Sequence, residues 1–281
     1  MARTTTKRSA SATTRKIDDG IASRIKKVQD VERTASYAIY GRAGSGKTTL
    51  ASTWPKPMLL LDIRDRGTDS IADVKGIDVL EVETLEDLED LFYDVMKPGK
   101  HKYKTIVFDT VTELQKLVMK DVVLGKSKNK KVDESRIGDW GSMAKRDWGD
   151  VAAIMNKWIG DFRDLPLEVV FLAQERVKNV DDEEGDDNQL VPEVGPMVMP
   201  SIASTLNAAV NVIGNTFIRM KRTNVVKGNK KSIKEEATYC LRVGPNPIYT
   251  TKLRKPRSAE APAYIEDPTY GDIQDLVKGI E

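Results

Sequence analysis

The stretch "GRAGSGKTT", residues 41–49, decides the fold. It matches G-x-x-x-x-G-K-[ST], a pattern in which glycines let backbone N–H groups curl around phosphate oxygens. Lys47 would place its charge beside the β- and γ-phosphates, and the Thr48 hydroxyl would bind Mg²⁺. We therefore predict a nucleotide-binding loop, hereafter the P-loop, that consists of Gly41, Arg42, Ala43, Gly44, Ser45, Gly46, Lys47, Thr48 and Thr49.

The residues on either side of the P-loop support this prediction. Residues 35–40, "ASYAIY", predict a strand that ends at Gly41, and residues 47–54 predict a helix. A P-loop needs this order of strand, loop and helix, and the helix N-terminus adds a positive end. The alternative, a glycine turn before an ordinary helix, is disfavoured by this context.

A carboxylate at the end of a later strand completes the predicted metal site. In "TIVFDT", residues 105–110, apolar or β-branched residues precede Asp109. A buried strand of this kind delivers its acid to the carboxyl edge of a parallel sheet, where ligands bind. The motif alone is weak, but with the P-loop present we interpret Asp109 as an acid that contacts Mg²⁺ through water.

Apolar runs alternate with helical patterns along the chain. Strands are predicted at 57–63, 77–82, 103–110 and 168–173, and helices at 84–96, 111–123 and 143–165. The alternation indicates an α/β fold, with a mostly parallel twisted sheet and helices on both faces. Beyond residue 174, "EATYCLRVGP" and "PIYTTKLR" predict a C-terminal antiparallel extension, which follows a Lys-rich hairpin tip at 223–234.

Composition bounds the domain organisation and the classes of site. We expect a disordered basic tail at 1–17 and one domain at 18–281, with a core at about 35–255 and a C-terminal tail at 256–281. The single cysteine excludes a disulfide framework, and the single histidine excludes a His-based zinc site. Since no apolar run approaches the ~20 residues of a membrane span, we expect a reducing, cytoplasmic compartment.

An uncharged amide stands at the end of a predicted core strand. In "VVFLAQERV", residues 169–177, the apolar run ends at Gln174 and a polar loop is predicted to follow. The side chain is either a solvated strand end or a sensor of bound nucleotide. Because the P-loop strand, the Asp109 strand and this strand would end on one edge, we favour the sensor: an amide can donate to a γ-phosphate oxygen without adding charge. Glu175 and Arg176 would pass its movement to the following loop.

These motifs resemble those of RecA-like recombinases. Asp109 is followed by the small hydroxyl residue Thr110, whereas helicases and AAA+ machines usually carry an acid pair there. "FLAQ" places Gln174 where that family has a glutamine that contacts the γ-phosphate. In "KLR", Lys252 and Arg254 share one face of a strand and could grip one phosphate together. Clock-protein and archaeal RecA-like ATPases use such a pair in trans, although a solvated basic strand end is the alternative.

Residues 35–255 together resemble the compact phage RecA-like P-loop ATPases of the Sak-four type, which are single-strand annealing recombinases. The resemblance implies a RecA-like P-loop NTPase core with ATP and Mg²⁺ as cofactors. It also implies single-stranded DNA binding, annealing or strand exchange, and a homo-oligomer (ring or filament) in which Lys252 and Arg254 act in trans. A single-stranded-DNA-binding protein would be a further partner, and a phage-encoded protein would work in the host cytoplasm.

Two features depart from that family. RecA-like enzymes place a water-orienting glutamate just past the second core strand, where this chain has Arg64. Asp62 and Asp65 are the available acids, and Asp62 is favoured because it stands at the end of the strand. Because the glutamate is missing, we expect slow hydrolysis. The acidic run at 181–187 would repel DNA. We therefore assign the DNA contacts to lysines elsewhere, unless they are solvated loop residues: Lys126, Lys128, Lys130, Lys131, Lys230 and Lys231.

Two other classes of function compete with the recombinase. One is a P-loop ATPase switch of the clock-protein or partner-loading kind, which would bind protein and not DNA. The other is a small-molecule kinase, which needs an arginine-rich lid. The "KLR" pair in a late strand does not resemble such a lid, so the switch is the main alternative.

Overall fold

The structure, a computed structural model, describes residues 25–27, 34–64, 66–97, 99–127, 143–178, 193–227 and 230–280. For residues 125–127, 178, 223–227 and 230–234 it describes the backbone only. One compact unit spans Thr34–Glu281. The predicted basic tail at 1–17 lies outside the described residues.

Ten strands of the described chain form one mixed sheet in the order β10-β8-β7-β1-β5-β4-β2-β3, with β6 paired to β5 and β9 paired to β7. The strands are β1 (Ser36–Gly41), β2 (Met58–Asp62), β3 (Ile77–Glu81), β4 (Thr105–Asp109), β5 (Glu168–Lys178), β6 (Glu193–Pro196), β7 (Val212–Lys227), β8 (Lys230–Arg242), β9 (Lys252–Leu253) and β10 (Tyr264–Glu266). From β7 to β3 each neighbouring pair is parallel. The pairs β7–β8, β8–β10 and β7–β9 are antiparallel. The predicted α/β fold, with its antiparallel extension, is confirmed.

Helices cover both faces of this sheet. They are α1 (Lys47–Ala51), α2 (Leu85–Asp90), α3 (Val111–Ser127), α4 (Lys145–Arg163), α5 (Pro200–Ala209) and α6 (Tyr270–Lys278), with a 3-10 segment at Gly67–Ile71 and a π segment at Leu91–Val95. Alternate residues of β1 enter different cores, because successive side chains of a strand point to opposite faces. Tyr40 packs in the core with α2, α3, α4 and α5. Ile39 packs in the core with α1 and α6. The central strands are buried on both sides, which explains their continuous apolar runs.

Strands continue in two places where the sequence predicted loops. The residues directly after Gln174 are strand and not loop, since β5 runs on to Lys178 and pairs antiparallel with β6. The hairpin tip expected at 223–234 is strand as far as Lys227 and again from Lys230. In both places a partner strand supplies the hydrogen bonds that a polar sequence alone does not reveal. Residues 179–192, including the acidic run, lie outside the described residues.

The segment at 256–281 differs from the predicted tail. It contains β10, which pairs with β8, and α6, whose Ile273 is fully buried. The ring of Tyr270 lies 5.4 Å from that of Trp54 and 6.5 Å from that of Tyr37. A signal for α6 is present in the sequence, because Thr269 and Asp272 form a capping box. The segment therefore completes the core on the α1 face.

Of the helices in the described part of the chain, none combines the length and the apolarity that crossing a bilayer requires.

Candidate nucleotide-binding site

Adjacent parallel strands bring the predicted site residues to one edge of the sheet. Strand β5 lies between β1, which leads into the P-loop, and β4, which ends at Asp109. Gly41 is in register with Gln174, and Asp109 is in register with Leu172. The amide of Gln174 is thus delivered between the P-loop and the Asp109 carboxylate.

The P-loop packs closely against β7. A Cβ atom on Gly41 would lie 2.2 Å from Oγ1 of Thr216, so only glycine fits there. Gly44 and Gly46 have φ values of 75° and 86°, in the left-handed region that favours glycine. The Ser45 hydroxyl oxygen lies 2.6 Å from that of Thr216 and ties the loop to the strand. The curled loop therefore follows from its glycines and from its contact with β7.

Lys47 is buried, with 7% of its surface exposed, and its ammonium is held by oxygen atoms. Nζ donates to the carbonyl of Gly41 at 3.1 Å, to the carbonyl of Arg42 at 2.9 Å, and to Oε1 of Gln174 at 3.4 Å. A buried ammonium needs such acceptors because burying an unpaired charge is costly. Phosphate oxygens would compete for the same N–H donors, so nucleotide binding and the position of Gln174 are coupled.

The backbone of Gln174 is fixed on both sides. Its N–H donates to the hydroxyl of Thr112 at 3.0 Å. Its carbonyl accepts from the N–H of Met197 at 2.7 Å. Since both backbone groups are held, the side-chain amide is the part of Gln174 that can respond to a phosphate.

Glu175 links the strand beyond Gln174 to the P-loop. Its Oε1 accepts from Nε of Arg42 at 3.3 Å, and its Oε2 accepts from Nδ2 of Asn215 at 3.1 Å. The Arg42 side chain is 84% exposed, so this ion pair contributes little to stability. Its importance is geometric, because one carboxylate touches the P-loop, β5 and β7.

The predicted metal-site residues contact each other directly. The Thr48 hydroxyl donates to Oδ2 of Asp109 at 2.7 Å. A Cβ atom on Gly67 would lie 3.8 Å from both oxygens, so the segment after β2 passes beside them. Among the described residues no group of three or more His, Cys, Asp or Glu side chains could hold a metal ion. A hydroxyl and one carboxylate instead fit Mg²⁺, which takes few protein ligands and completes its shell with phosphate and water.

Thr110, next to the Asp109 carboxylate, has a structural use for its hydroxyl. It is fully buried, and Oγ1 accepts from the N–H of Glu113 in the first turn of α3. The peptide bond between Asp109 and Thr110 is cis. The small hydroxyl residue on which part of the RecA resemblance rests therefore also starts the helix after β4.

Asp62 stands beside the metal-site strand but borders a different cleft. It is in register with Asp109 on one side and Glu81 on the other, and it is 6% exposed. Its Oδ1 accepts from the N–H of Arg66 at 3.0 Å. A cleft of about 490 Å³ is lined by Asp62, Arg64, Arg66, Glu81, Val82, Glu83 and Lys120. Asp65, the second candidate acid, lies outside the described residues.

Lys252 and Arg254 lie together, as predicted, but at the other edge of the sheet. Strand β9 pairs with the start of β7, where Val212 is in register with Tyr37 near the start of β1. This edge is opposite the P-loop of the same chain. The pair could therefore contact only a nucleotide that is bound to the P-loop of a neighbouring chain. This contact stays a prediction.

Within one chain the pair binds the C-terminal end of α5. Nζ of Lys252 donates to the carbonyl of Asn207 at 2.5 Å, and Nη2 of Arg254 donates to the carbonyl of Ala208 at 3.1 Å. Cations are favourable there because the last carbonyls of a helix lack partners and carry partial negative charge. Burial, and secondarily the charge of Arg254, lower the pKa of Lys252.

The structure describes the predicted DNA-contacting lysines only in part. Lys126 lies in α3, and Lys230 and Lys231 lie in β8 opposite Lys227 and Val226, with backbone described but not side chains. Lys128, Lys130 and Lys131 lie outside the described residues. These DNA contacts stay predictions.

Three cations of strand β7 have acidic partners. Arg219 and Lys221 both pair with Glu266, at 2.9 and 2.5 Å. Arg222 pairs with Glu235 at 2.7 Å. This charge compensation leaves the part of the hairpin nearer its tip as the stronger basic candidate.

A cavity of about 720 Å³ extends from the P-loop to residues that the sequence analysis missed. The missed residues that line it include Thr53, Gly67, Ser70, Thr216, Tyr239, Cys240, Asp267 and Pro268. Its volume is in the range of small-molecule sites. Tyr239 and Asp267 reach the cavity through the antiparallel pairing of β8 and β10, for which we found no local sequence signal.

A family model described as an AAA domain matches residues 33–251. The match spans the P-loop, Asp109, Gln174 and most of the sheet, and it ends before Lys252. A search of curated proteins returned no match to this chain. The resemblance to the Sak-four recombinases is narrower than the family match and stays a prediction.

We predict that Asp62→Asn retains nucleotide binding and lowers turnover about 100-fold, the scale of a general base. In contrast, Lys47→Ala should abolish nucleotide binding, because it removes the cation that faces the phosphates. Both variants are measured by titration with a fluorescent nucleotide and by steady-state phosphate release.

Asp78→Asn is the matched control, since Asp78 lies on the adjacent strand β3, where its carboxylate pairs with Lys102. It should leave binding and turnover within about twofold of the parent, as expected for a surface substitution. Unchanged turnover in Asp62→Asn would remove Asp62 from the hydrolytic step.

Proposed function

Since the chain belongs to the AAA-domain family of P-loop ATPases, we propose that it binds ATP with Mg²⁺ and uses the nucleotide state to control binding of single-stranded DNA. Annealing or strand exchange is the reaction that this binding serves. Thr48 and Asp109 hold the metal, which neutralises phosphate charge when bound. Asp62, which is in register with Asp109 on the neighbouring strand, is the proposed acceptor of the proton of the attacking water, and hydrolysis is slow.

The observation that carries the proposal is the contact between Gln174 and Lys47. The amide oxygen lies 3.4 Å from the ammonium that faces the phosphates. A γ-phosphate competes for that ammonium, and the amide N–H groups can donate to phosphate oxygens. ATP and ADP therefore favour different positions of one side chain whose backbone is held by Thr112 and Met197.

The residues after Gln174 provide a route from the nucleotide to a binding surface. Glu175 opens the β5–β6 ladder, in which it is in register with Pro196. Its carboxylate also contacts Asn215 of β7, the strand that continues into the β7–β8 hairpin. The contacts that connect the P-loop with the ladder and the hairpin therefore pass through Gln174 and its neighbour Glu175.

The hairpin supplies the charge for a nucleic-acid ligand. Its tip sequence at 223–234, "TNVVKGNKKSIK", is rich in Lys and contains no acidic residue. Lysines that neutralise phosphates give sequence-independent affinity through release of counterions. The run at 125–131, "GKSKNKK", has the same character and is the second proposed contact.

Assembly completes the proposal. Lys252 and Arg254 lie at the edge opposite their own P-loop, so they can serve a nucleotide only in a homo-oligomer, whether ring or filament. A cationic pair supplied by a neighbour would stabilise charge on the transferred phosphoryl group. A single-stranded-DNA-binding protein is a further proposed partner.

One observation favours a second candidate, a switch that binds a protein. The segment that joins β5 and β6 contains "DDEEGDD", residues 181–187. This acidic run repels DNA phosphates and would attract a basic protein surface. If nucleotide binding changes the β5–β6 ladder, the ligand that binds beside this ladder would then be a protein.

The first test measures binding of a labelled single-stranded oligonucleotide by anisotropy, with ADP or with a non-hydrolysable ATP analogue. We expect the analogue to raise the parent's DNA affinity at least tenfold. Gln174→Ala should bind the analogue and lose that increase, because the phosphate no longer displaces a side chain. Loss of analogue binding, or an unchanged increase, would contradict the sensor role. Absence of DNA binding in the parent would favour the protein-binding switch.

The second test locates the DNA contacts by salt dependence. Each lysine that contacts a phosphate contributes about 0.7 to the slope of log K against log salt for single strands. Replacing Lys128, Lys130 and Lys131 with alanine should therefore lower the slope by about 2. A separate double variant, Lys230→Ala with Lys231→Ala, should lower it by about 1.4.

A matched variant controls for net charge in this test. Lys75, Lys97 and Lys100 are exposed and lie in the connections that lead into β3 and β4, away from the P-loop edge. Replacing all three with alanine should leave the slope unchanged. Equal slopes for the parent and the 128–131 variant would exclude that segment, and a reduced slope in the control would show that net charge alone is responsible.

A further inference from the structure

We propose that the nucleotide base stacks on Tyr239 and that its exocyclic amino group donates a hydrogen bond to the carboxylate of Asp267. This inference rests on nucleotide binding in the proposed function and adds which part of the protein recognises the base. It concerns the part of the 720 Å³ cavity that is lined by β8 and by the segment after β10.

The ring of Tyr239 stands directly beside the P-loop. A Cβ atom on Gly46 would lie 3.0 Å from Cδ1 of this ring, so the ring passes close to the loop at this glycine. Tyr239 is 45% exposed although its neighbour Cys240 is buried. A half-exposed aromatic ring on a phosphate-binding loop offers a flat apolar surface within reach of a nucleotide whose phosphates lie in the loop.

Asp267 is held next to that ring by the backbone. Its N–H donates to the carbonyl of Tyr239 at 2.7 Å, and its φ of 45° lies in the left-handed region. The following Pro268, which also lines the cavity, restricts the turn. Two residues further on, the N–H of Tyr270 donates to the hydroxyl of Thr53 at 2.9 Å. The base pocket is thus built from three segments joined by hydrogen bonds.

The chemistry of the pocket limits the base it accepts. An ionised carboxylate only accepts hydrogen bonds, so the base must present an N–H group to Asp267. Adenine presents its amino group, and it also has a flat face for Tyr239. A purine without an exocyclic amino group would keep the stacking and lose the hydrogen bond. ATP should therefore bind more tightly than purine riboside triphosphate.

The test measures the affinity of the full chain for three probes with Mg²⁺ and without DNA: ATP, purine riboside triphosphate and inorganic tripolyphosphate. We expect the parent to prefer ATP over purine riboside triphosphate by about tenfold, the scale of one hydrogen bond to a charged group. Asp267→Gly, which tolerates the left-handed backbone, should remove this preference. Asp267→Asn keeps an amide oxygen as acceptor and should retain it.

Tyr239→Ala should lower the affinity for both nucleotides at least tenfold and leave the affinity for tripolyphosphate unchanged, because only the base loses its stacking partner. Tyr239→Phe keeps the ring and should recover most of the affinity. The matched control is Tyr93→Ala, since Tyr93 is 50% exposed and lies on the π segment away from the cavity. It should bind all three probes like the parent.

Three results would overturn the inference. The first is equal affinity of the parent for ATP and purine riboside triphosphate. The second is unchanged ATP affinity in Tyr239→Ala. The third is loss of tripolyphosphate affinity in Tyr239→Ala, which would mean that the ring supports the P-loop and does not bind the base. Since no DNA is present, failure of DNA binding in the proposed function would appear in a different experiment from failure of base recognition.

Discussion

A buried ammonium has to be compensated, and much of this site follows from how Lys47 meets that requirement. Two P-loop carbonyls and the amide oxygen of Gln174 are among its acceptors. The amide reaches the ammonium because β5 lies directly beside β1, with Gly41 and Gln174 in register. Phosphate oxygens are stronger acceptors than an amide, since they are charged. Binding of nucleotide therefore has to change the contacts of Gln174.

The residues around Gln174 decide which part of it can move and which elements its neighbours contact. Thr112 and Met197 fix the backbone of Gln174, so the adjustment falls on its side chain. Glu175 contacts Arg42 of the P-loop and Asn215 of β7. Asn215 in turn accepts a hydrogen bond from the guanidinium of Arg242. That guanidinium lies 3.9 Å from the ring centre of Tyr249, so the contacts continue toward β9. The nucleotide edge is thus connected to the β5–β6 ladder and to the base of the hairpin.

Local patterns predicted the parts of the molecule that depend on local physics. The P-loop could be predicted because its glycines, lysine and hydroxyl stand at fixed spacing, and β2, β4 and the first half of β5 because strands buried on both faces are apolar throughout. Features that depend on distant partners could not be predicted in this way. The continuation of β5 to Lys178 needs β6, and the position of Tyr239 and Asp267 needs the pairing of β8 with β10. The spacing of Lys252 and Arg254 predicts that they share one face of a strand, but their contact with α5 depends on tertiary packing.

The central claim is that the γ-phosphate acts on the β5–β6 ladder through Gln174. Amide hydrogen exchange at Glu175–Lys178 and at residues 193–195 tests it most directly, with the protein saturated by ADP or by a non-hydrolysable ATP analogue. Our account predicts that exchange in these segments differs between the two nucleotides in the parent and is the same in Gln174→Ala, while exchange in the P-loop is reduced by nucleotide in both proteins. Equal hydrogen exchange of the ladder with the two nucleotides in the parent would contradict the account. A difference between the two nucleotides that persists in Gln174→Ala would contradict it as well.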